Sequence, residues 1–218
     1  FFLKEYPEGF AGEKWRLEYR APKGRTLKRH RDAVLAKAAE QLTAEKLDPA
    51  SVDVAAAMTS VSKVLGSTDL VPAAAAKALG KLDPELGKEV LAALHSVLWG
   101  EGPLAPRFDR WVVALTAVGG ETPKWMLVTA PLTLVHPQDH VCIRATAFKA
   151  QTSSLAPRLD LSGAPQYSLY DRALTMAKRV RDKVTDRGFA PTDMLDVHDF
   201  VRFTLSASAK KAIAAARG

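Results

Sequence analysis

The chain has 218 residues, 47% of them hydrophobic and 25% charged, and its 31 Lys and Arg exceed its 24 Asp and Glu for a formal net charge of +7. A chain of this length and composition can bury a substantial core, and no apolar run approaches the roughly 20 residues of a bilayer span, so a membrane span is excluded. One cysteine, Cys142, excludes an internal disulfide and a cysteine-cluster zinc site, and fits a reducing cytoplasm.

Helix punctuation predicts a mainly α-helical single domain of about eight helices. An aromatic-rich N-terminal arm covers residues 1–25, the helical body 26–205 and a basic tail 206–218, with at most a short extended segment near 139–144. No secretory signal pattern is read, and the opening at Phe1 rather than Met leaves upstream sequence open.

The arm begins FFLKEYPEGF, with four aromatics, and continues as EKWRLEYR, a short helix. Phe1, Phe2, Tyr6, Phe10, Trp15, Leu17 and Tyr19 are expected to pack on the body, the usual fate of such side chains. Interleaved with Lys14, Arg16 and Arg20, the same rings also suit stacking on bases. Pro22 and Gly24 then break regular structure, and Thr26 is read as the cap of a helix running to about Leu42.

Between Lys14 and Arg31 stand eight Lys and Arg residues, the densest basic patch of the chain. Cations at a helix start oppose the macrodipole at some tenths of a kcal/mol each, so helix stability does not select them. Phosphate contacts from Arg16, Arg20, Arg25, Lys28, Arg29 and Arg31 account for them, and so does a solvated basic face.

Asp48-Pro49 and Asp83-Pro84 each read as N-cap then first-turn proline, opening helices that end at Gly66 and Gly100. Between them VPAAAAKALGKL forms a helix stopping near Gly80. His95 is read as a packed or partly exposed histidine rather than a ligand, and GEGP as a turn, since it lacks the lysine and hydroxyl of a phosphate-binding loop. RFDRWVVALTAVGG follows as a helix with Phe108, Trp111, Val112 and Leu115 inward. Thr122-Pro123 then starts KWMLVTAPLTLVHP, a helix apolar all round, expected at the centre of the core and bent or ended by Pro131.

His136, Asp139, His140 and Cys142 are close enough in sequence to raise a metal site. Pro137 and the β-branched run after His140 argue against the shared helix face that His-x3-His ligation needs, so no metal and no cofactor are expected. HVCIRA reads as extended, with Arg144 and Lys149 presenting charge beside it.

From Ser168 to Arg187, Leu169, Ala173, Met176, Ala177, Val180 and Val184 share one helical stripe, while Arg172 and Arg179 lie on a basic face. Gly188 ends that helix, and Asp193 or Asp196 caps a closing one with Phe200 and Val201 inward. Asp196 and His198 are the catalytic candidates, since a carboxylate beside an imidazole performs acid-base chemistry in a cleft; capping accounts for the same residues more cheaply. No GxSxG, HExxH, dinucleotide or P-loop motif is present. The tail, with Lys210, Lys211 and Arg217, extends the last helix or frays.

Read together, several of these stretches resemble a family of bacterial proteins of uncharacterised function. The matching features are EKWRLEYR, the Arg107-Phe108-x-x-Trp111 helix, the turn Pro137-Gln138-Asp139-His140, the helix led by Tyr170, and the ending Pro191-x-Asp193-Met194-Leu195-Asp196-x-x-x-Phe200. The chain departs from that pattern at Arg144-Ala145, where Lys-Pro is usual, and at Arg202-Phe203, where a tryptophan is frequent. The family implies no established reaction, and a fainter similarity of the last helices to regions of proteins near restriction and defence ATPases points to nucleic-acid biology by analogy.

Three functions are therefore expected to compete. One is a nucleic-acid-associated accessory module using the arginines above with Arg144, Arg172 and Arg179. Another is an enzyme or small-anion-binding protein with a pocket around His140, Arg144, Lys149, Asp196 and His198. The third is a protein-binding subunit with an exposed apolar patch among the arm aromatics.

Overall fold

The structure is a computed structural model and describes residues 1–155 and 159–215; Arg217 of the tail lies outside them. Four helices start where a side chain takes up their first free amides, the groups that no turn of the helix can satisfy. Thr43 opens α4 (Ala44–Leu47), Asp53 opens α5 (Val54–Gly66), Asp83 with Pro84 opens α7 (Pro84–Trp99), and Asp193 opens α12 (Met194–Thr204) by accepting from Leu195 and Asp196.

The remaining elements are helices too: α1 (Phe2–Glu5), α2 (Glu13–Trp15), α3 (Arg31–Gln41), α6 (Ala73–Leu79), α8 (Leu104–Gly119), α9 (Trp125–Val135), α10 (Ala145–Leu155), α11 (Tyr167–Thr185) and α13 (Ala207–Ala215), with a 3-10 turn at Gly9–Ala11 and a π-helical turn at Arg16–Arg20 in the arm. No strand occurs among the described residues, and the protein is a mainly α-helical single domain.

Two helix starts differ from the expected ones. Thr26 caps nothing: His30 is the N-cap residue of α3, and the Leu27 amide donates to His30 Nδ1, so the chain stays irregular through 22–29. Asp48-Pro49 forms an Asx turn in which the carboxylate accepts from the Ala50 amide, and the helix waits for Asp53. The expected extended stretch is 140–144, which carries no regular element, and α10 follows it unforeseen.

Packing follows apolar faces. α7 lies against α8, α5 and α4, and α5 against α6. α9 runs through the middle, touching α3, α7 and α8, with Val128, Thr129, Ala130, Leu132 and Thr133 fully buried. Pro131 sits inside α9 and does not end it; along the same turns Thr129 Oγ donates to the Trp125 carbonyl and Thr133 Oγ to the Thr129 carbonyl.

α11 closes one side against α8 and α12, and Gly188 leaves it with φ 83°, a backbone conformation suited to glycine at that exit. The arm wraps α12: Phe2, Tyr6, Phe10, Trp15 and Tyr19 form a cluster of their own, on which Val184, Phe189, Phe200 and Phe203 pack. Gly9, at φ 63°, allows this wrap, since a Cβ there would meet Phe189 Cδ1 at 2.6 Å.

Candidate functional site

Of the nine cations read as phosphate contacts, two are withdrawn from the surface. Arg31, wholly buried as the first residue of α3, makes a two-pronged bond to Asp199 (Nε and Nη2, 2.8 Å each) and reaches Asp69 at 2.6 Å and Thr68 Oγ at 3.2 Å. Arg20 likewise grips Asp193 with both terminal nitrogens (3.1 and 2.7 Å), meets Asp32 at 2.9 Å through Nε and lies 3.6 Å from Asp196. Planar forks matched to carboxylates in this way are held by the fold. Arg16, Arg25, Lys28, Arg29, Arg172 and Arg179 are exposed, Arg29 donating to the Glu18 carbonyl, and Arg144 is half-buried.

The residues read as one pocket do not all meet, although Arg144 is close enough to His198 to act on it through its charge. Asp196 faces the arm, accepting from Trp15 Nε1 at 2.9 Å and from the Thr192 amide at 2.7 Å. His198, two residues on, turns the other way: its Nδ1 lies 2.7 Å from the Cys142 carbonyl, which only accepts, so that nitrogen carries the proton. Its Nε2 is buried without a hydrogen-bond partner among the described residues, and burial lowers its pKa to about 4 despite the neighbouring Asp199. His140 lies elsewhere, against the Tyr170 hydroxyl at 3.1 Å, also lowered to about 4 by burial and by His136. Lys149 stands on the exposed side of α10.

The metal reading meets the same dispersal. His136 Nε2 pairs with the Leu98 carbonyl and Cys142 is buried, its thiol pushed up to about 12 by desolvation. Among the described residues no group of three or more His, Cys, Asp or Glu side chains is placed to hold a metal ion. The arm aromatics offer no exposed patch, because the rings from Phe2 to Tyr19 are buried in their cluster.

Arg144 leads to a different site. It lines a cavity of about 650 Å³ whose walls include Lys124, Trp125 and Met126, at the start of α9, and Ala145 and Thr146, at the start of α10. The first amides of a helix have no acceptor within it, and Lys124, the N-cap of α9, supplies no side-chain oxygen. Two helix N-termini thus end at one cavity, each contributing the positive end of its dipole.

The side chains reinforce that field. Arg144 Nη2 donates to the Asp69 carbonyl at 3.3 Å, while its Nε is buried with no partner. Trp125, 4% exposed, leaves its indole N–H equally unpartnered. Burial, and then the charge of Arg202, lower the pKa of Arg144, which marks a guanidinium with too little negative charge around it. The lining residues among those described carry hydroxyls at Thr122, Thr146 and Ser162 and no carboxylate.

Lys124 and Trp125 escaped the reading of the sequence, although a signal was present. A lysine and an arginine each occupy the N-cap position of a long helix, where cations are unfavourable and Ser, Thr, Asp or Asn is preferred. No family model, curated protein or solved structure matches the chain.

Proposed function

We propose that the protein binds a small organic anion in the cavity between the starts of α9 and α10. The observation that carries this reading is the convergence of two helix N-termini, that of α9 without a side-chain cap, on Arg144 and Lys124 in a cavity with no carboxylate among its described lining residues. A volume of about 650 Å³ falls within the usual span of small-ligand pockets, about 300–1,000 Å³. Neither imidazole nor thiol is found among those lining residues, so the surroundings support holding an anion rather than shuttling its protons.

The nucleic-acid reading draws less support. Its densest patch loses Arg20 and Arg31 to internal carboxylates, and a smaller count of phosphate contacts means a shallower salt dependence.

Thermal unfolding at low ionic strength, with inorganic phosphate, sulfate or acetate titrated in, tests the proposal. The wild-type midpoint should rise saturably with at least one of these anions, and Arg144→Gln should lose the rise while keeping its helical circular dichroism. Equal midpoints in both proteins at every anion concentration would remove the reading.

A further inference from the structure

Resting on the anion-binding reading, we infer that the cavity between α9 and α10 takes a phosphomonoester with an apolar or planar body, the phosphate seated at the two helix starts. The inference follows from charge, donor geometry and the composition of the walls.

Charge comes first. Behind the cavity, Arg31, Arg144 and Arg202 share two carboxylates, Asp69 and Asp199: Arg31 pairs with both, Arg202 meets Asp69 at 3.1 Å, and Arg144 reaches only the Asp69 carbonyl oxygen. Three guanidiniums against two carboxylates leave one positive charge, and it belongs to Arg144, the one of the three without an acid partner among the described residues. Lys124, also lining the cavity, adds a second positive charge. A phosphomonoester at neutral pH carries about −1.5 to −2, which matches this excess, whereas a carboxylate supplies a single charge.

Donor geometry points the same way. Two helix starts line the cavity, with the Arg144 guanidinium beside them. A tetrahedral group with three terminal oxygens can meet donors from several sides; a planar carboxylate has two oxygens in one plane.

The rest of the cavity is too large and too apolar for the phosphate alone. Pro72, Pro123, Met126, Ala145 and Ala164 line it together with Trp125, so the ligand brings an apolar or planar portion. Rings and alkyl groups are the chemistry that such walls recognise, by area removed from water and, at Trp125, by contact with an aromatic ring.

Isothermal titration calorimetry with the full chain, using phenyl phosphate, inorganic phosphate and benzoate as probes, tests the inference. Phenyl phosphate should bind at least tenfold more tightly than either of the others, and its affinity should rise with pH through about 6, where the second proton leaves the phosphate. Arg144→Gln and Lys124→Gln should each weaken phenyl phosphate about tenfold. Lys124 is exposed, so its replacement leaves the fold intact and separates loss of binding from loss of structure. Benzoate binding as well as phenyl phosphate would overturn the phosphomonoester class while leaving the anion site standing. Equal affinity for inorganic and phenyl phosphate would overturn the apolar body. No heat from any of the three, together with no anion-dependent thermal shift, would remove the anion-binding reading as well.

Discussion

His198 shows how one buried side chain makes stability depend on pH. Its Nδ1 proton serves the Cys142 carbonyl, and its Nε2 lone pair has no donor among the described residues, so a second proton would add a charge at a buried site. The folded pKa of about 4 lies below the ordinary 6.5, so between those values the unfolded chain binds more protons than the folded one. Stability is therefore full above about pH 6.5 and is lost as pH falls towards 4, by up to about 3 kcal/mol for a shift of this size. His140, held against Tyr170 and lowered to the same value, loses stability in the same direction. His198→Asn keeps a donor for the Cys142 carbonyl and removes the titration. Urea unfolding at pH 7, 6, 5 and 4 should show its acid loss reduced by about half relative to wild type; an unaltered slope would place the effect in other groups. In the sequence His198 read as a catalytic candidate because it follows Asp196, yet on a helix neighbours two apart point to different sides. Three-dimensional packing then assigned Asp196 to Trp15 and His198 to Cys142.

At the scale of elements, the irregular stretch 140–144 depends on α9. Thr129 Oγ donates to the Trp125 carbonyl at 2.7 Å and accepts the Ile143 amide at 2.8 Å, joining the middle of α9 to the residue before Arg144. Thr129→Val keeps the shape and removes both bonds, leaving a buried amide unsatisfied at a cost of about 1–3 kcal/mol. Because Ile143 adjoins Arg144, the same variant should also weaken phenyl phosphate several-fold. Both effects are read in one denaturation series and one titration, and unchanged values in both would show that the stretch is held otherwise. The elements themselves were largely legible. Asp83-Pro84, Gly188 and Asp193 announced their boundaries because capping is local chemistry, settled within four residues. Asp48-Pro49 carried the same letters, but its carboxylate closed a turn onto Ala50 and Asp53 took the cap, a choice between two local bonds that sequence spacing leaves even. α10 went unseen because ATAFKAQTSSL has few apolar residues to mark a buried stripe; Phe148 and Gln151 are buried on it against α12.

Across the whole molecule, two arginines from the N-terminal quarter join segments far apart in sequence. Arg20 ties the arm to Asp193 at the head of α12, and Arg31 ties α3 to Asp199 within α12 and to Asp69 before α6. The basic patch that read as a phosphate surface is thus partly an internal clamp. The argument that helix stability does not select Arg31 holds, but its partner is a pair of carboxylates from later in the chain, and such long-range pairing leaves no local trace. A clamp of this kind is costly to break on one side. Asp199→Leu leaves Arg31 buried with only Asp69, and Arg31→Met leaves Asp199 buried with no guanidinium, so each single variant should lose about 3–5 kcal/mol. The double variant Arg31→Met with Asp199→Leu buries apolar groups of similar size in place of the pair, and should recover much of that loss. Urea midpoints for the four proteins of this cycle measure the coupling directly. A double variant as unstable as the sum of the singles would mean that the two side chains act independently. α3 would then be held to the body chiefly by its apolar face, with Val34 and Ala38 in the core.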